Sequence, residues 1–296
     1  MRHSYLYTIF ILVFSFLFSI TSCNSEKVIE RLTREQREQK RIEDSLSLKI
    51  AILPSSDCDF IRVADSLGYF DSLGVSVHLR KYNALSECRY ALKHKMVEGA
   101  VIDSSLAETI QKVDTTQLTL SRSTQLRWKM VVSKKSRVHR YGQLADKVIA
   151  TDSHGKSHDL ASQAIDSIKK QKKDVFIIQC EDLNIRLKMI LGGNVDGAML
   201  PEPYATTALH SGCNELPLNN DNTYGVIAFR SPVLKDKRIK KQHDLFLEAC
   251  AMAESFIKER GSRVKTDNKK VSDKKADTND VKSLKTNTNK EEKNKK

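Results

Sequence analysis

The stretch LKIAILPSSDCDFIRVADSLGYFDSLGVSVHL, residues 48–79, decides the fold. It opens on LKIAIL (48–53), an apolar run broken only by Lys49, whose length and following Pro54-Ser55-Ser56 read as a short buried strand. Residues 60–67 carry apolar side chains at helical spacing, Gly68 follows as a helix stop, and VSVHL (75–79) resumes as a strand. Strand, helix, strand at this spacing is the repeating unit of an α/β fold.

The alternation continues outward. Residues 84–97 place Leu85, Cys88, Ala91, Leu92 and Met96 at helical spacing, GAVID (99–103) is a strand, and a short helix starts near Leu106. TLS (119–121) and WKMVVS (128–133) read as extended. KVIAT (147–151), a helix from about 158 to 170, VFIIQ (175–179), a helix near 183–191 and VDGAML (195–200) repeat the series. Two series, joined by extended segments around 123–127 and 219–224, predict two lobes with mainly parallel sheets. The first lobe is expected over residues 48–124, completed by 231–260, and the second over 125–230.

Residues 1–22 set Arg2 and His3 before an apolar run from about Tyr5 to Phe18, the order of parts in a secretory signal. The run is short for a spanning helix, which needs about 20 apolar residues. Behind it, Ile20-Thr21-Ser22-Cys23 resembles the lipobox of bacterial lipoproteins. That resemblance implies lipid on Cys23, attachment to the membrane through it, and a body in the bacterial cell envelope facing the periplasm or outside. Residues 23–47 are dense in charge, with too few apolar side chains for a core face, and read as a solvated tether. Residues 261–296 are Lys, Asp, Asn, Thr and Ser with almost nothing to bury, which predicts a disordered basic tail. Part of the formal +13 charge lies in that tail. Behind an export signal this points to a solvated segment beside anionic surfaces and away from nucleic acid.

Ala64-Asp65-Ser66-Leu67-Gly68-Tyr69-Phe70, with Leu73-Gly74-Val75 and Val77, resembles the A-x-x-x-G-Y-F-x-x-x-G-L-x-V pattern of periplasmic substrate-binding proteins. The branch is the one for sulfonates, nitrate and thiamine-precursor pyrimidines. Ser157-His158-Asp159-Leu160 is similar to its G-S-x-x-H-(D/N)-L, and Asp196 to Tyr204 to its D-A-x-x-x-x-E-P-(Y/F), while residues 224–230 match its late strand. The resemblance covers nearly all of residues 48–258. It implies a two-lobe, type II periplasmic-binding-protein-like fold with a hinge, a small-molecule ligand, an ABC transporter permease as partner, and no cofactor.

In open α/β sheets ligands bind outside the carboxyl ends of parallel strands. Following each strand to its end gives Ser55, Ser56 and Asp57; Asp103 and Ser104; Ser153, His154, Gly155, Ser157 and His158; and Glu202 with Tyr204. The turn at 153–159 leads into a helix start, whose free N–H groups and positive dipole end suit an anion. Plain N-capping by Ser153 or Ser157 is the other reading of those residues. Glu202, held between Pro201 and Pro203, suits an amine-bearing ligand or merely complements a helix start. Ligand polarity therefore stays open between anionic and amine-bearing. Trp128, the only tryptophan, belongs to the cleft or to the core.

Catalytic motifs are lacking: there is no GxSxG, GxxxxGK[ST] or HExxH. His154 and His158 are four apart, but no third ligand lies near them in sequence, so no metal site is expected. Thiamine-pyrimidine synthases share the implied fold, yet their cysteine-rich segment has no counterpart here. Cys58, Cys88, Cys180, Cys213 and Cys250 are scattered and form no disulfide framework, with Cys88 and Cys250 on apolar helix faces. The expectation is a solute-binding lipoprotein that is not an enzyme. The rival is a ligand-independent surface or assembly lipoprotein that keeps the fold.

Overall fold

Gly68 is the hinge point of the local chain. The computed structural model, which describes residues 46–169, 174–218 and 222–260, holds it at φ 67° at the end of helix α1 (Asp59–Ser66). A left-handed glycine there closes the helix and redirects the backbone. A single turn, α2 (Tyr69–Ser72), then carries Phe70 into the core, where its ring stacks on Phe246 at 5.5 Å. The expected signal segment 1–22, Cys23, nearly all of the tether and the tail 261–296 lie outside the described residues.

Two five-stranded sheets follow from the alternation. The first comprises β1 (Leu48–Ile52), β2 (Val77–Lys81), β3 (Gly99–Asp103), β4 (Leu118–Thr124) and β10 (Gly225–Arg230), in the order β2-β1-β3-β10-β4. The second comprises β5 (Trp128–Val132), β6 (Val148–Thr151), β7 (Phe176–Gln179), β8 (Gly197–Pro201) and β9 (Asn214–Leu216), in the order β7-β6-β8-β5-β9. The parallel strands expected from the pattern form one side of each sheet: β2-β1-β3 and β7-β6-β8. The chain then enters each sheet again in the opposite direction, β10 against β3 and β4, and β5 against β8 and β9. Each sheet is therefore mixed. The second segment, expected over 125–230, gives up its last strand, because β10 pairs in the first sheet.

Helices α3 (Leu85–Lys93) and α4 (Ser104–Val113) cover the first sheet, and α5 (Lys156–Lys169), α6 (Leu183–Gly192) and α7 (Tyr204–His210) the second. The described chain ends in a helical stretch, α8, over 237–260. Three local readings shift. Strand β2 begins two residues later than the sequence suggests, because the Val75 N–H donates to Phe70 O and completes the preceding turn. Helix α3 stops short of residue 97, since Lys95 turns to φ 57° and the Met96 N–H donates back to Ala91 O. Helix α5 starts at Lys156, one residue after Gly155, rather than at 158.

Two apolar clusters hold this body. One lies on the α1 and α8 face of the first sheet, through Ile50, Ile61, Phe229 and Phe246. The other is continuous between the sheets, from Leu53, Ile102 and Leu106 through Leu126 and Trp128 to Met130, Leu160 and Met199. Trp128 thus belongs to that core. Cys58, Cys88, Cys180, Cys213 and Cys250 are all free, with Cys88 and Cys250 fully buried.

Candidate functional site

The polar turns at the four strand ends meet in pairs. Ser56, after β1, donates its N–H to the carbonyl of Glu202, after β8, at 2.7 Å. Asp103, at the end of β3, accepts from the N–H of Lys156, beyond β6, at 2.9 Å. Two further bonds join the halves: the Ser105 hydroxyl donates to Asp159 Oδ2 at 2.6 Å, and the Leu183 N–H donates to Asn83 O at 3.1 Å. The chain's own groups thus bridge the cleft between the sheets at four points.

Asp103 is fully buried and serves two helices. Its Oδ1 caps α4 by accepting from the Leu106 N–H at 2.6 Å, while Oδ2 takes Lys156 at the start of α5. Burial pushes its carboxyl up to about 7, against the pull of those two donors and with Asp152 and Asp159 adding to the rise. Ser104 is exposed, and its N–H donates to Tyr224 O. The Lys156 ammonium lies over the Tyr224 ring at 4.9 Å.

Several polar groups of the turn of residues 152–159 are bonded within the chain. Ser153 N–H donates to Glu181 Oε1 at 2.7 Å, and the Ser153 hydroxyl and His154 Nδ1 are 2.9 Å apart on the exposed side. The Ser157 hydroxyl is buried between Asp152 Oδ2 and Thr151 Oγ1, so its role in the structure is to tie the turn to β6. His158 Nδ1 faces the Asp152 carbonyl at 3.2 Å. Behind the turn lies Arg186, which the sequence reading missed. It is fully buried, pairs with Asp152, and donates to Cys180 O and to Met199 O at 2.8 Å. Its guanidinium lies 5.9 Å from the Trp128 ring centroid. A signal was available: Arg186 stands three residues after Leu183 and four before Ile190, within the buried stripe of α6.

The other pair of turns borders open space. Ser56, Asp57, Gln125, Leu126, Arg127, Lys129 and Glu202 line a cavity of about 280 Å³. Asp57 is buried; Thr124 donates to its Oδ2 at 3.1 Å, and its Oδ1 has no partner among the described residues. Burial raises the Asp57 carboxyl above its usual range. Ser55 Oγ and Trp128 Nε1 are likewise buried and unpartnered among the described residues. Buried polar atoms of this kind call for a ligand or water partner. Glu202 is half committed: it accepts from the Thr206 N–H at 3.0 Å and pairs with Lys129 at 3.1 Å. Burial works against its ionisation, but Thr206 and Lys129 outweigh that and hold it below the usual range. Tyr204 is buried at the start of α7, its hydroxyl 3.2 Å from Asn184 Oδ1. A second cavity, of about 440 Å³, opens beside Pro54, Arg62, Lys81, Tyr82 and Asn83. No group of three or more His, Cys, Asp or Glu side chains able to hold a metal occurs among the described residues.

No protein-family model matches the chain, and no curated protein matches it in sequence. Solved structures do match. The ligand-binding component of an ABC-type import system from Staphylococcus aureus, with zinc bound, is 14% identical at TM-score 0.58, covering 70% of this chain and 73% of that one. The alkanesulfonate-binding protein SsuA from Xanthomonas axonopodis pv. citri, bound to MOPS, is 14% identical at TM-score 0.57, covering 69% and 73%. The periplasmic nitrate-binding protein NrtA from Synechocystis is 13% identical at TM-score 0.60, covering 71% of this chain and 61% of that one. At these identities the likeness is one of architecture: the chain has the two-sheet α/β fold of periplasmic substrate-binding proteins.

Proposed function

We propose that the chain is a solute-binding protein that takes a small polar ligand between its two sheet halves and delivers it to an ABC-type permease. Lipid on Cys23 holds it to the bacterial cell envelope. The observation that carries the reading is the cavity of about 280 Å³ between the halves, lined by Asp57, whose buried Oδ1 lacks a partner among the described residues. A ligand amine or hydroxyl donating to Asp57 supplies that partner, and it adds the charge-assisted bond a buried carboxylate favours. The strand ends around it are where open α/β sheets bind ligands.

A thermal-shift screen of the chain against amines, amino acids, pyrimidines, carboxylates, nitrate and sulfonates tests the proposal. A ligand at ~100 times its Kd stabilises by about 2.7 kcal/mol. Asp57→Asn abolishes the shift given by the hit. A screen without a hit supports the second reading, a ligand-independent surface or assembly lipoprotein. That reading draws on one observation, the direct bonding of the halves to each other at Glu202, Asp103 and Asp159.

A further inference from the structure

Three of the donors that the turn of residues 152–159 offers an anion are engaged by carboxylates of the chain itself. Lys156 N–H goes to Asp103, Ser153 N–H to Glu181, and the Ser157 hydroxyl to Asp152. Asp159 adds another negative group there and takes the Ser105 hydroxyl. An anionic ligand at the start of α5, a helix of 14 residues, would seek the Lys156 N–H and the positive end of the dipole. That position is filled from the opposite half of the molecule by Asp103, and the fit is built from both sides. Gly155 has φ 105°, and a Cβ there would come within 2.8 Å of Asp103 Oδ2, so the glycine leaves the room that the carboxylate uses. Asp103 in turn is fixed by its cap on α4.

We propose that Asp103 is the specificity-determining residue of the cleft: its carboxylate occupies the anion position at the start of α5, excludes anionic ligands and ties the two halves together. The ligand class is then cationic, amine-bearing or neutral and polar, an assignment of class that rests on the solute-binding reading. Neighbouring carboxylates strengthen the exclusion, since Asp152, Asp159 and Glu181 all face the same turn. Sulfonate and nitrate, which the similar proteins are named for, meet in this chain a position that the Asp103 side chain already fills.

Asp103→Ser separates the two duties of the side chain. A serine still caps α4, but it is too short to reach Lys156, so the α5 start is vacated. Asp103→Asn keeps the shape, retains the local bond to Leu106 and turns a donor toward Lys156. The full-length chain and both variants are titrated calorimetrically with sulfate and methanesulfonate, and exchange of the Lys156 amide is followed by NMR. Wild type is expected to take neither anion at millimolar concentration. Asp103→Ser gains sulfate binding, about tenfold or more over wild type, and both variants exchange the Lys156 amide about tenfold faster, as loss of a charge-assisted bond requires.

Wild type binding either anion as tightly as Asp103→Ser overturns the proposal. So does Asp103→Ser gaining no anion, or equal Lys156 exchange in all three proteins. Should circular dichroism show that Asp103→Ser does not fold, Asp103→Asn decides, and an unchanged amide rate in it overturns the proposal. The two readings fail differently. A silent wild-type ligand screen with sulfate gained by Asp103→Ser removes the transport reading and keeps Asp103 as the excluding group. Sulfonate binding with Asp103 in place keeps transport and removes the exclusion.

Discussion

Arg186→Met tests whether the buried pair with Asp152 organises the second sheet half. The guanidinium is fully buried, Asp152 is 1% exposed, and the arginine also donates to Cys180 O and Met199 O. Methionine fills most of the volume, so the loss is electrostatic rather than a cavity. Asp152 is left in a dry site with the Ser157 hydroxyl, and two carbonyls lose their donor. Removing one partner of a buried pair costs about 3–5 kcal/mol, a large part of the ~5–15 kcal/mol that holds a typical domain. With a urea m-value of ~2 kcal/mol/M, the midpoint should fall by roughly 1.5–2.5 M, followed by circular dichroism because Trp128 lies over the arginine and changes its own emission. Asp152→Asn should lose about 1.5–3 kcal/mol, the worth of a charge-assisted bond. The double variant should be less damaged than the sum by at least about 1 kcal/mol, within the range of couplings between contacting residues. A loss below about 1 kcal/mol for Arg186→Met, well under the cost of an unpaired buried charge, or strict additivity, would refute the pairing as an organising contact.

Asp103 has a folded pKa of about 7 against an ordinary 3.8, so the folded chain holds a proton that the unfolded chain releases. Stability therefore falls as pH rises from about 4 to 7 and levels off above; the difference in Tm between wild type and Asp103→Asn isolates this slope from Asp152 and Asp159, and from Lys156, His154 and His158 in the same turn. Gly225→Ala places a Cβ 1.9 Å from Thr124 Oγ1 and 2.8 Å from Leu126 Cβ, so it should lower stability by about 1–3 kcal/mol and weaken the Thr124 bond to Asp57; an unchanged urea midpoint refutes that crowding. Cys23→Ser should abolish incorporation of labelled fatty acid, and a variant that still takes up label and fractionates with membranes shows that Cys23 is not the anchor.

The parallel core was legible because its signal is local. Runs such as 48–53, 99–103 and 195–200 are apolar, bounded by turn residues and spaced by helical patterns, and they became β1, β3 and β8. The antiparallel strands were harder. Gly225–Arg230 is fully buried like β3 beside it, and nothing within it says which sheet it enters; that is settled by long-range pairing with Asp103 and Thr124. Strand ends were also legible as polar turns, but their partners were not. Asp103 has the sequence of an ordinary N-cap and is one, yet its second oxygen spans 53 residues to Lys156. Asp159 and Ser105, and Asn83 and Leu183, are similar: each is unremarkable alone, and the bond exists only after the sheets come together. Arg186 is visible in the sequence as a charge on the apolar stripe of Leu183 and Ile190, but its partner Asp152 lies 34 residues away.

If the chain binds a solute as proposed, the closure energy decides where that solute can bind. Bonds at Glu202 and Asn83 are backbone to backbone, worth ~0.5–1.5 kcal/mol each, while those to the carboxylates of Asp103 and Asp159 are worth ~1.5–3 kcal/mol each. Together they amount to roughly 4–9 kcal/mol before the entropy of fixing the two halves is subtracted. A ligand that must break all of them has its apparent affinity lowered tenfold for every ~1.4 kcal/mol retained in the closed state. One that enters beside Asp57 and Glu202 breaks at most the Ser56 bond and leaves Asp103 and Asp159 closed. The cavity at that end is the cheaper place to bind, and its unpartnered carboxylate oxygen is the group that gains most from a donor. On the solute-binding proposal, a ligand is thereby drawn to the first and fourth turns, while the second and third, with Asp103, hold the halves together and keep anions out.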